Sequence, residues 1–446
     1  MKKMIKINRR RFIFSSLSGL IFATLPKISF ASNPNVVVIG AGAAGLAATG
    51  YLLEQGKSVV CIEADNRIGG RVYTDNSIFG VPYDIGAHWI ENAQVNPYRK
   101  YGLENKKNFH VYPEGEEKYA FYDGDKTLED EDEVWKVFDA AEAAIAKTKK
   151  DIAPIDVIPN KSSEWYDTAH LIIGPYMLAK DFNHYSCKDV NNAEWGSSGD
   201  WHCQEGFGAL VAHRWQNIPV QLNTEAQEIK WDGQGVQVKT NKGTISATTC
   251  IITVSTGVLS SGKIKFNPKL PEEKYEAFEG ISMGVYNHIA LQFKKNFFDA
   301  KEKDSYLYYK IKSQNAPSPR GFCGFTNVSG TNLSLFDTGG EFSRELEKQG
   351  EKASVDFVLN ELRTIFGSKI DKYLIKGHAT KWAANPLTLG SYASAEPGKA
   401  HLRDVLKQSV GDRLFFAGEA TDKDWASVGG AHNSGETAAK EILKVI

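Results

Sequence analysis

A glycine-rich turn between two apolar runs constrains this chain more than any other feature. Residues 35–39 form a β-branched run that leads into Gly40-Ala41-Gly42-Ala43-Ala44-Gly45. Residues 46–55 then show helical apolar spacing that stops at Gly56, and residues 58–62 form a second apolar run ending at Glu63. The pattern is strand, tight turn, helix, strand. Gly40, Gly42 and Gly45 match GxGxxG. The first glycine permits the turn, the second lets a pyrophosphate approach the backbone, and the third lets helix and strand pack closely. The helix N-terminus attracts phosphate. Glu63 follows Gly45 by 18 residues, at the point where an acid grips an adenosine ribose. The expectation is an α/β, Rossmann-like domain that binds a dinucleotide through Gly40, Gly42, Ala43, Ala44, Gly45, Glu63 and Ala64.

The chain has 446 residues, too many for one ordinary core, so a second domain is expected. Hydrophobic residues at 42% and charged residues at 24% exclude a disordered, collagenous or polytopic membrane chain. Lys+Arg 53 against Asp+Glu 54 leaves no basic surface, so no nucleic-acid partner is expected. The first 31 residues carry seven bases and no acid, and the remainder is acidic, with 46 bases against 54 acids. Those 31 residues read as a signal peptide: Arg9-Arg10-Arg11-Phe12, an apolar run to Leu25, then Ser29-Phe30-Ala31. Paired arginines resemble a twin-arginine signal, with an ordinary secretory signal as the alternative. Cleavage after Ala31 and a periplasmic location are expected. The apolar run is too short to span a membrane comfortably, so no stable insertion is expected. The five cysteines form no CxxC pair, and no metal site is expected. Cys187 and Cys203 are the one candidate disulfide.

Further along, residues 125–150 read as a surface helix. Residues 219–222, 226–231, 235–240 and 243–247 read as one small antiparallel sheet. Residues 250–254, 288–293 and 414–417 are apolar strands, residues 341–366 one or two helices, and residues 429–445 a closing helix. Gly69-Gly70-Arg71 forms a second phosphate-contacting loop. Gly418-Glu419 ends a strand ahead of Gly430-Ala431, and can hold the rest of a long cofactor.

Taken in order, these motifs resemble the flavin monoamine and polyamine oxidases. The elements are the Gly40 fingerprint, Gly69-Gly70-Arg71, Gly86-Ala87-His88-Trp89-Ile90, the segment 250–259, Trp382 with Gly390-Ser391-Tyr392, and the block from Phe416 to Gly435. The resemblance covers nearly all of the chain after Ala31. It implies FAD held by a discontinuous domain (32–107, 205–262 and 378–446) and an α+β substrate domain (108–204 and 263–377). By resemblance, Glu63 holds the ribose, Arg71 the phosphates and Glu419 the ribityl chain. Gly70, Gly86, Ala87, His88, Trp89, Ala226, Trp382, Gly418, Gly430 and Ala431 complete the cofactor site. Some relatives attach the flavin through a cysteine where this chain has Ser391, so non-covalent FAD is expected.

The resemblance also sets the active-site expectations. Tyr392 matches one ring of an aromatic pair that flanks the amine, and the second ring falls on Ser427. Trp382 packs near the flavin or in plain core. His288 falls where relatives carry a lysine that holds a water at flavin N5. It either keeps that role or is a structural histidine with satisfied nitrogens. Glu91 faces a substrate tunnel, where a carboxylate can pair with a distant ammonium, or is a solvated loop acid. His88 lines the same cavity. The implied reaction moves a hydride from the carbon beside a neutral amine to flavin N5. The imine then hydrolyses, and electrons pass to oxygen, giving hydrogen peroxide, or to a periplasmic acceptor. A polyamine is the first substrate expectation, and a monomer or homodimer the expected state. The alternatives are an L-amino-acid oxidase, another flavin oxidoreductase of the superfamily, and a non-catalytic flavin-fold binding protein.

Overall fold

Valine, isoleucine and cysteine fill the central strands on both faces, as a sheet covered on both sides requires. The computed structural model describes residues 34–114, 119–194, 196, 199–295, 298, 303–312 and 316–446. The export signal expected in residues 1–31 lies outside them. A five-stranded parallel sheet runs in the order Leu414–Phe416, Thr249–Ile252, Val36–Ile39, Val59–Ile62, Val220–Gln221. Helix Ala43–Glu54 leaves the first strand through the glycine turn, and the closing helix Val428–Ile442 packs across it. A Cβ on Gly435 would lie 2.0 Å from the Ala44 carbonyl oxygen, so glycine sets how closely these helices meet. A Cβ on Gly45 would lie 1.9 Å from the Gly40 oxygen, and Gly40 itself has φ +102°. Both fingerprint positions therefore demand glycine.

One strand expectation is corrected. Val220–Gln221 pairs in parallel with Val59–Ile62 at the edge of the large parallel sheet. The small sheet instead takes Lys265–Asn267 as its fourth strand, beside Ala226–Lys230, Val236–Thr240 and Gly243–Ala247. A two-residue strand carries no alternation, so its partner was not readable. The expected helix at 125–150 also starts later, at Asp132, because Lys126–Thr127 folds back on Tyr119–Asp123 as a hairpin.

A seven-stranded sheet runs Leu374–Ala379, Tyr286–Phe293, Leu333–Gly339, Cys323–Thr326, Ser305–Tyr309, Tyr119–Asp123, Lys126–Thr127. Helices Gly340–Gln349 and Glu351–Phe366 cover one face, where Ile289, Leu291 and Phe293 meet Phe342, Val358 and Leu362. The helices part at Gly350, whose φ of 96° breaks the run. Alternation along the strand then puts Tyr286 and His288 on the opposite face. All five cysteines are buried and free, which overturns the Cys187–Cys203 pairing. Cys203 sits in the strand paired with Val111–Pro113, while Cys187 starts a separate helix against Tyr185 and Phe182. Among the described residues, no helix is long and apolar enough to cross a membrane.

Candidate active site

One cavity of about 750 Å³ runs from the glycine turn to an aromatic wall on the seven-stranded sheet. At the first end, helix Ala43–Glu54 has no side-chain cap at Gly42 and no acid in its first turn. Its leading N–H groups are left for an anion. A side chain on Gly42 would meet nothing nearer than the Gly69 oxygen at 3.9 Å, so it would project into that cradle. Glu63 is fixed beside it by two backbone donors, Ala41 N–H at 2.7 Å and Asp65 N–H at 2.8 Å. Ala64, Gly70 and Ala226 complete this part of the wall. The donor set, the acid and the open cradle fit the adenosine and pyrophosphate of FAD.

Further along, Arg71 donates to the Ser391 carbonyl at 2.7 Å and to Glu419 Oε1 at 2.9 Å. Gly86, Ala87, Gly418, Glu419 and Ala431 surround this middle section. The Ser391 hydroxyl accepts from Tyr286 N–H and donates to the Tyr286 carbonyl, both at 2.8 Å. Among the described residues, no cysteine lines the cavity. This suits a flavin held without a covalent bond. Gly45 and Gly430 are the two expected cofactor residues that do not reach the cavity. Gly45 packs on Gly40, and a Cβ on Gly430 would fall 2.0 Å from the Asp424 oxygen.

Trp382, 6% exposed, lines the cavity with its Nε1–H donating to the Ile85 carbonyl at 3.1 Å. Asn287 holds it in place by accepting from Trp382 N–H at 3.0 Å. The Tyr392 hydroxyl donates to the carbonyls of Tyr176 and Met177 at 3.3 and 3.4 Å, and the residue lines the cavity. Tyr176 ends a π-helical turn, Ile172–Tyr176, and its ring lies 5.9 Å from that of Tyr286. Ser427 also lines the cavity, but its hydroxyl is spent: it accepts from Gly430 N–H at 2.8 Å and bonds to Asp424. It caps the closing helix, so it offers a substrate shape and not a hydrogen bond.

His288 lines the cavity and is 3% exposed, with both ring nitrogens engaged. Nδ1 lies 2.6 Å from Asp337 Oδ1, and Nε2 lies 2.9 Å from the Gly86 carbonyl. A carbonyl only accepts, so Nε2 carries a proton, and a second proton lies between Nδ1 and Asp337. Tyr286 donates to the other Asp337 oxygen at 2.7 Å. Burial pulls the imidazolium down, but the Asp337 charge and the Gly86 carbonyl outweigh it and raise its pKa. The water-holding expectation is therefore corrected: no ring nitrogen is left for a water, and His288 ties the seven-stranded sheet to the Gly86 loop. Sequence reasoning missed Asp337. The signal was a lone acid inside the apolar strand Leu333–Gly339, directly across from His288 in register.

Glu91 reaches the cavity together with Asp200 and Asp424, both unforeseen. Burial pushes the Glu91 carboxyl up, and the charges of Asp200 and Asp424 push it further. His88 lines the wall with Nδ1 3.0 Å from Asp84 Oδ2. Trp89 stands next to it, donating to Glu114 Oε1 at 3.3 Å.

The chain matches the family model for flavin containing amine oxidoreductase over residues 166–443. It also matches a NAD(P)-binding Rossmann-like domain over residues 38–100. It is 30% identical to polyamine oxidase 4 of Oryza sativa subsp. japonica over 96% of this chain and 92% of the relative. It is 29% identical to polyamine oxidase 2 of Arabidopsis thaliana over 92% and 88%. Its fold is shared with putrescine oxidase bound to putrescine (TM-score 0.75, 19% identity, 93% of this chain and 99% of that one). Cyclohexylamine oxidase from Brevibacterium oxydans shares it too (TM-score 0.76, 19% identity, 93% and 99%). Together with the cofactor cradle, these matches favour an enzyme over a non-catalytic binding protein. The chain belongs to the flavin-containing amine oxidoreductases and is an FAD-dependent enzyme acting on amines.

Proposed function

We propose that the substrate is a linear polyamine or diamine, oxidised at the carbon beside one of its nitrogens. The carrying observation is the acidic wall made by Glu91, Asp200 and Asp424. Like charges held together in a buried site favour a cation between them. FAD, when bound, accepts the hydride from the substrate carbon. The chain's own residues orient the amine and exclude water. Trp382, Tyr286 and Tyr392 bound the reacting end. Desolvation there disfavours the ammonium form, so the nitrogen loses its proton before oxidation. Glu91 holds a second, still protonated nitrogen. The residues 32–107, 205–262 and 378–446 are the proposed cofactor-binding part, and 108–204 with 263–377 the substrate part.

An amino-acid substrate would need an arginine for its carboxylate. The arginines among the described lining residues are committed: Arg67 donates to the Ile68 and Gly70 carbonyls, and Arg71 to Ser391 and Glu419. The test is an anaerobic visible spectrum before and after spermidine. Bleaching of the flavin band supports the reading, and admitting air then shows whether oxygen is the acceptor. An unchanged band removes polyamines as substrates. We also propose export by residues 1–31, on the paired arginines ahead of the apolar run. N-terminal sequencing of the periplasmic fraction tests this, and an intact Met1 refutes it.

A further inference from the structure

Three chain segments end side by side at one wall of the cavity. Ile90 bridges Trp201, and the strand Trp201–Cys203 pairs with Val111–Pro113. Glu91 follows the first segment, Asp200 precedes the second, and Glu114 follows the third. Glu114 N–H donates to the Asp200 carbonyl at 2.9 Å, which fixes the register. The ribbon thus sets three acidic residues side by side on neighbouring strand ends, whose backbones lie roughly 4.8 Å apart.

Glu114 is distinguished from the other two by how it is held. Its side chain is 15% exposed and lines the cavity. Its side-chain partners all meet one oxygen, Oε1: Trp89 Nε1 and the Tyr306 hydroxyl donate to it, and His202 Nε2 lies 3.5 Å away. Among the described residues, no donor reaches Oε2. Burial pushes this carboxyl up, but His202, Tyr306 and Trp89 outweigh burial and hold it below its usual value. One oxygen fixes the group and the other is left for the cavity.

Two further observations point to a ligand here. His202 is fully buried, with Nε2 turned to Glu114 Oε1 at 3.5 Å and Nδ1 left without a hydrogen-bond partner. His88, 3% exposed, gives its Nδ1 proton to Asp84, which leaves Nε2 as a buried acceptor without a donor. The two imidazole rings lie 5.2 Å apart. The approach from the reacting end is aromatic. Ring centroids run from Tyr392 to Tyr286 at 6.1 Å, to Tyr176 at 5.9 Å and to Trp89 at 6.4 Å. Aromatic faces accept ammonium groups and their methylene links alike.

We propose that Glu114 is the far anchor of the substrate, taking the ammonium most distant from the oxidised carbon. This rests on the polyamine reading and deepens it. Glu91 with Asp200 and Asp424 meets a nearer nitrogen, the Tyr–Trp row carries the methylenes, and Glu114 Oε2 closes the site. The enzyme then discriminates by charge at a distance, and prefers an α,ω-diamine over a monoamine of the same chain length.

The test titrates the holoenzyme anaerobically with a linear eight-carbon α,ω-diamine and the matching alkylmonoamine, and reads both the shift of the flavin spectrum on binding and its reduction. Wild-type protein is expected to bind the diamine at least tenfold more tightly, at the low end of what a charge-assisted hydrogen bond contributes. Equal affinities overturn the proposal without any variant. Glu114→Gln is expected to raise the diamine dissociation constant and KM about tenfold or more, leaving kcat and the monoamine constants within about twofold. Glu114→Asp, which keeps the charge on a shorter arm, is expected to recover part of the loss. Equal losses for both amines overturn the assignment, because a structural role moves both. If the diamine shifts the spectrum but never reduces the flavin, the polyamine-oxidation reading fails while the anchor stands.

Discussion

Replacing His288 with leucine removes one half of a buried ion pair and leaves the other. Asp337 is 0% exposed, and its remaining side-chain donor is the Tyr286 hydroxyl at 2.7 Å. Stranding one partner of a buried pair costs about 3–5 kcal/mol. Unfolding entropy is about 2.1 cal/mol/K per residue, or roughly 0.9 kcal/mol/K for a chain of this length, so Tm should fall by about 3–6 °C. The sign of the pH dependence follows from His288's raised pKa. A group whose folded value lies above its unfolded one stabilises fully below the unfolded value, about 6.5 for imidazole. That contribution is lost as pH rises through the higher folded value. The wild-type advantage over His288→Leu should therefore be largest below the unfolded value and shrink as pH rises through the raised folded value. Asp337→Asn is the informative control. Its amide can still hold the ring and the tyrosine, so about 1–2 kcal/mol should be lost, with the pH slope gone. The assay is thermal unfolding followed by flavin fluorescence at each pH. A loss below about 1 kcal/mol in His288→Leu, or an unchanged slope in both variants, refutes the ion-pair reasoning.

Gly45→Ala places a Cβ against the Gly40 oxygen at 1.9 Å, so the purified protein should carry little or no flavin, read as visible against protein absorbance. Glu91→Gln should raise the spermidine KM roughly 10- to 100-fold, the range of a charged hydrogen bond. Because burial and its acidic neighbours raise the Glu91 carboxyl, wild-type kcat/KM for spermidine should fall as pH drops through that raised value, and the variant should lack this limb. With five buried, free cysteines, a thiol-exchange dye should label none in the native protein, and a reductant should leave Tm unchanged.

The cofactor half of the molecule was legible because its constraints are local. A tight turn needs Gly40 at positive φ, a close crossing needs Gly45, and the ribose acid falls at a fixed distance along the chain. Each of these is a statement about residues near one another in sequence. The seven-stranded sheet was mostly missed, and its register explains why. Tyr119–Asp123 pairs with Ser305–Tyr309 across 187 residues, and its strands carry tyrosines and charges that blur alternation. Val220–Gln221 was assigned to the wrong sheet for a related reason: two residues have no period.

The substrate wall shows the same division more sharply. Glu91 was found because it follows a recognisable glycine motif. Asp200, Asp424 and Glu114 follow no motif, and become neighbours of Glu91 only when three strand ends and the turn before the closing helix converge. His288 marks the limit from the other side. Its position pointed to a water-holding role, yet the function of an imidazole depends on what occupies its two nitrogens, and both partners come from elsewhere in the chain. Asp337 arrives through antiparallel register and Gly86 through a loop 202 residues away. His288 thus becomes a brace between sheet and loop because an acid stands opposite it. On the proposed function, the reacting nitrogen meets Tyr286, Tyr392 and Trp382, whose polar atoms are all committed to the protein. Their faces, and the acids beyond them, are left to select the amine.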